Sequence, residues 1–306
     1  MRNLITVIGS SNIDLLMKMD RLPGKGETVT DAVFMQVYGG KGANQAVGAA
    51  RAGGKVAFVN CVGEDAYTPC MLENYRNDHI DTRFVFQEKD IASGHALIMI
   101  GGDGNNYLSV APGANYCLTP AKIDMAMPVI DEAAMIVMQY EIQQETIIYV
   151  LELAERKQIP VLWNFAPARP FDIRYLSKVN ILVVNEVEAG FLSSVPVNDV
   201  NDAEKAAGVL LQTGVETVIT TLGEKGAFIL SQNEKIYIPA FRVKAMDATA
   251  AGDVFCGALS VALVEGRSLA GAIRFASAAA AICVTRMGAQ PSAPNREEIE
   301  QFLSMN

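Results

Sequence analysis

Short apolar runs at 134–138, 161–163, 181–184 and Thr217–Thr221 read as strands, and the stretches 145–157 and 202–211 among them carry apolar residues at helical spacing. Strands alternating with helices predict parallel strands joined by crossovers. The start of the chain begins the same way, with an apolar strand over Leu4–Ile8 that runs into Gly9-Ser10-Ser11-Asn12-Ile13-Asp14. The pattern then changes. Between 15 and 38, LLMKM and VFMQVY flank a Pro-Gly turn at 22–26 and predict a small sheet instead of a βα unit. Residues 39–54 read as a glycine turn and an alanine-rich helix with Lys41 at its mouth, followed by a strand over 56–62 and a helix over 67–76. A second hairpin, 95–100 and 107–110 around GGDGNN, is placed to join the first in a separate sheet. Later, 227–230 and Lys235–Ile238 form a hairpin across SQNE, and 254–264, 269–284 and 296–303 read as helices. The segment FASAAAAICV is small and apolar enough to pack inside the molecule. The expectation is one α/β domain over 1–306: a mostly parallel sheet flanked by helices, with a small inserted β-sheet from about 15–38 and 95–110.

Composition narrows the function. Half of the 306 residues are hydrophobic, enough for a large core. Lys and Arg total 25 against 34 Asp and Glu, a formal charge of -9, which argues against nucleic acid and anionic membranes as partners. Five cysteines without CxxC spacing suggest neither a disulfide framework nor a zinc site, and two histidines leave little material for a Ser-His-Asp hydrolase. The N-terminus lacks a signal-peptide apolar region, and no run of about 18 apolar residues predicts a membrane span; a reducing cytoplasm fits.

The stretch Met246 to Gly257, MDATAAGDVFCG, sets Ala250, Ala251 and Gly252 before Asp253 and then turns apolar. Small residues at a helix start let backbone N–H groups point at an anion. A carboxylate there makes sense if Asp253 takes a proton from a hydroxyl while the amides hold the phosphoryl group it attacks. The plain alternative is an acidic residue in a helix's first turn. Asn12 and Asp14, at i and i+2 on an extended strand, share a face and can bracket neighbouring hydroxyls, or cap a turn. Asn185 with Glu188 has the spacing of a capping box. There is neither a GxGxxG fingerprint nor a GxxxxGK[ST] loop.

GSSNID after the first strand, GGKGANQ before a helix, NEVE, TLGEKG and DATAAGD stand in the order and spacing of the ribokinase family of carbohydrate kinases, also called the PfkB family, and the chain resembles it from first strand to last helix. The resemblance implies that Asp253 is the base activating a sugar's primary hydroxyl, with the amides of Ala250, Ala251 and Gly252 as the anion hole. It implies sugar contacts from Asn12, Asp14, Gly40, Lys41, Asn44 and Glu141. ATP would meet Asn185, Thr221, Gly223, Gly226, Gly252 and Ser277. Glu188 would belong to the Mg²⁺ environment through water, and Asp247, Thr249, Cys283, Arg286, Gly288 and Ser292 would surround potassium, largely through backbone carbonyls.

Three positions depart from the common pattern: Ala248 and Ala250 replace the usual threonine and glycine, and Ser277 replaces a histidine or asparagine. The ending RFASAAAAICVTRMGAQPS is similar to that of the branch acting on ribose, which implies transfer of the ATP γ-phosphoryl group to the ribose 5-hydroxyl. Deoxyribose, a fructose-type hexose, a nucleoside such as adenosine, and a non-catalytic sugar sensor are the rivals. Relatives pair their lid sheets, which implies a homodimer.

Overall fold

The computed structural model describes residues 2–103 and 105–306, so Gly104 in the GGDGNN turn and Met1 lie outside the described residues. Among the described residues, thirteen strands run in chain order as β1 (Leu4–Ile8), β2 (Asn12–Met19), β3 (Val33–Gly39), β4 (Lys55–Gly63), β5 (Asp81–Glu88), β6 (Gly94–Gly101), β7 (Asn106–Ala111), β8 (Ala133–Met138), β9 (Val161–Asn164), β10 (Ile181–Asn185), β11 (Thr217–Thr221), β12 (Ala227–Ser231) and β13 (Lys235–Ile238). The helices are α1 (Lys41–Arg51), α2 (Thr68–Asn77), α3 (Pro120–Met125), α4 (Met127–Asp131), α5 (Gln144–Lys157), α6 (Glu186–Ser193), α7 (Val200–Leu211), α8 (Ala251–Val264), α9 (Leu269–Cys283) and α10 (Arg296–Met305).

Nine strands form the main sheet in the order β13-β12-β11-β10-β9-β8-β1-β4-β5. From β5 to β11 all neighbours are parallel, and the hairpin β12-β13 closes one edge antiparallel. Side chains alternate across it: Ile5 and Val7 of β1 enter a core with α1, α2, α8, α9 and α10, while Leu4 and Ile8 enter one with α3 to α7. Helices therefore cover both faces. The chain builds outward from β1 through β4 to β5, then returns to lay β8 on the other side of β1. The crevice between the carboxyl ends of β1 and β8 is thus a topological switch point, where open α/β sheets bind ligands.

The second sheet has the order β3-β2-β6-β7, as the two hairpins predict, with β2 and β6 parallel where the hairpins join. Its strands reach slightly beyond 15–38 and 95–110, because β2 already begins at Asn12, paired with Gly39 and Gly94. The apolar pattern alone missed β5, an edge strand with mixed burial, and the short helices α3 and α4.

Candidate active site

Helix α8 begins three residues earlier than its apolar run. Ala250 adopts the left-handed conformation, φ 61°, and its carbonyl accepts the Val254 N–H at 2.8 Å, which closes the opening turn and puts Asp253 inside it. Of the predicted anion-hole amides, that of Ala251 turns back to the Ala248 carbonyl at 3.2 Å. The N–H groups that follow belong to the first turn, where no intrahelical acceptor exists.

Asp253 is buried. Asn44 donates its Nδ2 to Oδ2 of Asp253, and Gln45 its Nε2 to Oδ1, both at 3.0 Å. These contacts exist because α1 and α8 approach closely: a Cβ at Gly257 would lie 2.6 Å from the Gln45 carbonyl, so only glycine fits there.

Glu141 follows β8 and reaches across the switch point. Its Oε2 accepts from the Ser10 hydroxyl at 2.5 Å and from the Lys41 N–H at 3.0 Å, at the start of α1 next to the N-cap Gly40. A carboxylate at a helix N-terminus is favourably placed. Asp14 completes a charged cluster. Its burial, then the neighbouring charges of Glu141 and Asp253, push its pKa up to about 7, against the pull of Lys41. Burial also raises Asp253, opposed by Lys41 and the two amides. Burial works against the Lys41 ammonium, yet Asp253, Glu141 and Glu188 outweigh it and hold the lysine charged.

Asn12 is buried, and its Oδ1 accepts from Asn115 Nδ2 at 2.8 Å. A cavity of about 170 Å³ opens beside it, lined among others by Asn115, Tyr116, Tyr140, Glu141 and Arg169.

Of the predicted nucleotide residues, Asn185 and Thr221 sit at the ends of neighbouring strands. Asn185 is in register with Thr221, and the Thr221 hydroxyl donates to the Val184 carbonyl at 3.3 Å. Asn185 and Glu188 form a reciprocal capping box on α6, both bonds 2.9 Å. Glu188 is nonetheless buried and lies close enough to Lys41 and Asp253 for their charges to act on it, so cap and site residue are compatible. Gly223 and Gly226 bound the turn after β11, and half-buried Ser277 lies on α9.

The loop before α8 is tied to the end of α9. Asp247 accepts from the Thr249 N–H at 2.9 Å and hydroxyl at 2.6 Å, and from the Gly288 N–H at 2.9 Å. The Cys283 thiol lies 3.0 Å from the Ser292 hydroxyl and 3.7 Å from the Thr249 carbonyl. Arg286 turns its side chain to Glu298, so only its backbone belongs to this loop. Among the described residues, no group of three or more His, Cys, Asp or Glu side chains is arranged to hold a metal ion.

The model of the pfkB family of carbohydrate kinases matches residues 2–296. The chain belongs to this family. It is 39% identical over 303 residues to a ribokinase of Haemophilus influenzae and 36% identical over 303 residues to a deoxyribokinase of Salmonella typhi, covering 99% of both chains in each case. A solved structure of Arabidopsis thaliana ribokinase complexed with ribose and ATP is similar with a TM-score of 0.94 at 31% identity over the full length of both chains.

As a pfkB carbohydrate kinase, the chain brings Asp14, Lys41, Asn44, Glu141, Glu188 and Asp253 together. The motifs did not single out Ser10, Gln45, Asn115, Gln139, Asn164 and Arg169. A signal existed for some: Ser10, Gln139 and Asn164 are polar residues at the carboxyl ends of apolar strands, facing the switch point.

Proposed function

We propose that this carbohydrate kinase transfers the γ-phosphoryl group of ATP to the 5-hydroxyl of ribose, giving ribose 5-phosphate and ADP. The observation that carries this is a buried Asp253 in the opening turn of α8, held by two amides beside Asp14, Lys41 and Glu141 at the switch point. Asn12, Asp14, Gly40, Lys41, Asn44 and Glu141 bind and orient the sugar. Asp253 accepts the proton of the 5-hydroxyl as its oxygen bonds to the γ-phosphorus, and the bond from that phosphorus to the bridging oxygen breaks to release ADP. The free N–H groups of α8's first turn, Gly252 among them, meet the transferred group, and Asn185, Thr221, Gly223, Gly226 and Ser277 flank the nucleotide. Glu188, acting through water, would hold Mg²⁺ beside the nucleotide, where the ion would supply charge neutralisation. The oxygens of the Asp247 carboxylate, the Thr249 carbonyl and the Ser292 hydroxyl suit a hard monovalent cation such as potassium.

The four-stranded sheet acts as a lid of one kinase unit, excluding water over the sugar. Residues paired across it share a face, and the face opposite Asp14 exposes Met17, Phe34, Leu97 and Tyr107. A second copy covering these apolar groups gives a homodimer. Among the described residues all five cysteines are free and no helix is long and apolar enough to cross a membrane. We assign the chain to the reducing cytoplasm.

The Salmonella deoxyribokinase favours 2-deoxyribose as a second substrate reading. ADP release measured with ribose, 2-deoxyribose, fructose, adenosine and no sugar separates them. Turnover with ribose well above the rest is expected, and turnover confined to another sugar overturns the substrate while leaving the kinase.

A further inference from the structure

Gln45, fully buried beside Asn44 on α1, does more than touch Asp253. Its Nε2 donates to Oδ1 of Asp253 at 3.0 Å and to Oδ1 of Asn164 at 3.1 Å, and its Oε1 accepts from Nε2 of Gln139 at 2.7 Å. The direction of this chain follows from the backbone. Asn164 donates its Nδ2 to the Val183 carbonyl on β10 at 3.3 Å, and a carbonyl only accepts. That leaves Oδ1 of Asn164 facing Gln45 and calls for an N–H there, and the same nitrogen then meets Asp253. A flipped Gln45 would aim its oxygen at a carbonyl and a carboxylate together. Gln139, just past β8, and Asn164, at the end of β9, thus lock the amide from the sheet side.

The consequence concerns charge. Lys41 on α1 favours a charged Asp253, while Glu141 after β8, Asp14 on β2 and Glu188 on α6 disfavour it; burial and the Asp253 charge push the thiols of Cys256 on α8 and Cys283 on α9 up, so both stay neutral. Burial of Asp253 itself also disfavours its charged form. With Asn44 on one oxygen and Gln45 on the other, each oxygen meets a donor, an arrangement that favours the ionised form.

We propose that Gln45 is a positioning residue for phosphoryl transfer: oriented by Gln139 and Asn164, it fixes the plane of the Asp253 carboxylate and keeps it ready to accept the sugar's proton. This rests on the reading of Asp253 as the base. Ribose is held by other groups, so the role belongs to the chemical step and not to sugar affinity.

The test is the pH dependence of kcat for the full chain at saturating ribose, ATP and Mg²⁺, comparing wild type, Gln45→Met, Gln139→Met and Asp253→Asn. For Gln45→Met the acidic limb should move up by about one pH unit. Its kcat near neutral pH should fall roughly tenfold and recover towards high pH, with the KM for ribose changed less than about twofold. Gln139→Met should shift the limb in the same direction by less, and it decides the matter if Gln45→Met does not fold. Limbs that superimpose on wild type, or a loss confined to KM, overturn the positioning role. If Asp253→Asn keeps both wild-type kcat and its acidic limb, the base assignment itself fails. If Asp253→Asn is inactive while the glutamine variants titrate as wild type, only the role of Gln45 fails.

Discussion

A Cβ at Gly39 would lie 2.1 Å from Oδ2 of Asp14, so the carboxylate on β2 rests against the bare backbone of β3. The strand pair fixes the acid's position through the absence of a side chain. Gly39→Ala should therefore displace Asp14 without touching Asp253. A rise of roughly 10- to 100-fold in the KM for ribose, with a smaller change in kcat, is the expected result in steady-state kinetics.

Asp14 also predicts a pH dependence. Burial and two neighbouring acids raise its pKa from 3.8 to about 7 in the folded protein. Between these values the native chain keeps a proton that the unfolded chain has released, so the stability from this group is fullest below the lower value and is lost as pH rises to the upper one. Asp14→Asn removes the loss. Thermal melts should show the variant gaining on wild type as pH rises from about 5 to about 8. If ribose hydroxyls donate to a charged Asp14 as proposed, ribose should bind wild type more tightly over the same rise, with proton release measurable by titration calorimetry in two buffers.

Ala250 is held at φ 61°, where a side chain is strained by roughly 1–2 kcal/mol. Glycine relieves that strain but gains unfolded-state entropy worth about 0.4–1 kcal/mol. Ala250→Gly should stabilise the protein by up to about 1 kcal/mol in denaturant unfolding, and Ala250→Val should destabilise it.

Phe34 and Leu97 lie on the sheet face opposite Asp14, 56% and 54% exposed. If a second copy covers them, Phe34→Asp with Leu97→Lys should halve the mass measured by light scattering. An unchanged dimeric mass would place the contact elsewhere.

Much of this was legible beforehand. The βα alternation after residue 120 forecast the parallel strands, and a small-residue stretch ahead of an acid forecast the opening of α8. That helix starts three residues before its apolar run, because apolar periodicity does not register Ala250 turning left-handed. Asn185 and Glu188 were readable as a cap, and the structure has that cap, but the burial of Glu188 beside Lys41 depends on the packing of α6 against the sheet. Gln45, Gln139 and Asn164 lie apart in sequence, and only the strand order brings Gln139 and Asn164 to the Gln45 amide that holds Asp253. Local pattern cannot report such a meeting.

The most direct test of the account is ribose-dependent ADP formation by Asp253→Asn beside wild type, at saturating ATP, Mg²⁺ and ribose. The substitution keeps the shape of the side chain and removes the proton acceptor, so kcat should fall roughly 10²–10⁴-fold while ribose still binds. A variant that turns over ribose at the wild-type rate would contradict the assignment of Asp253 as the base.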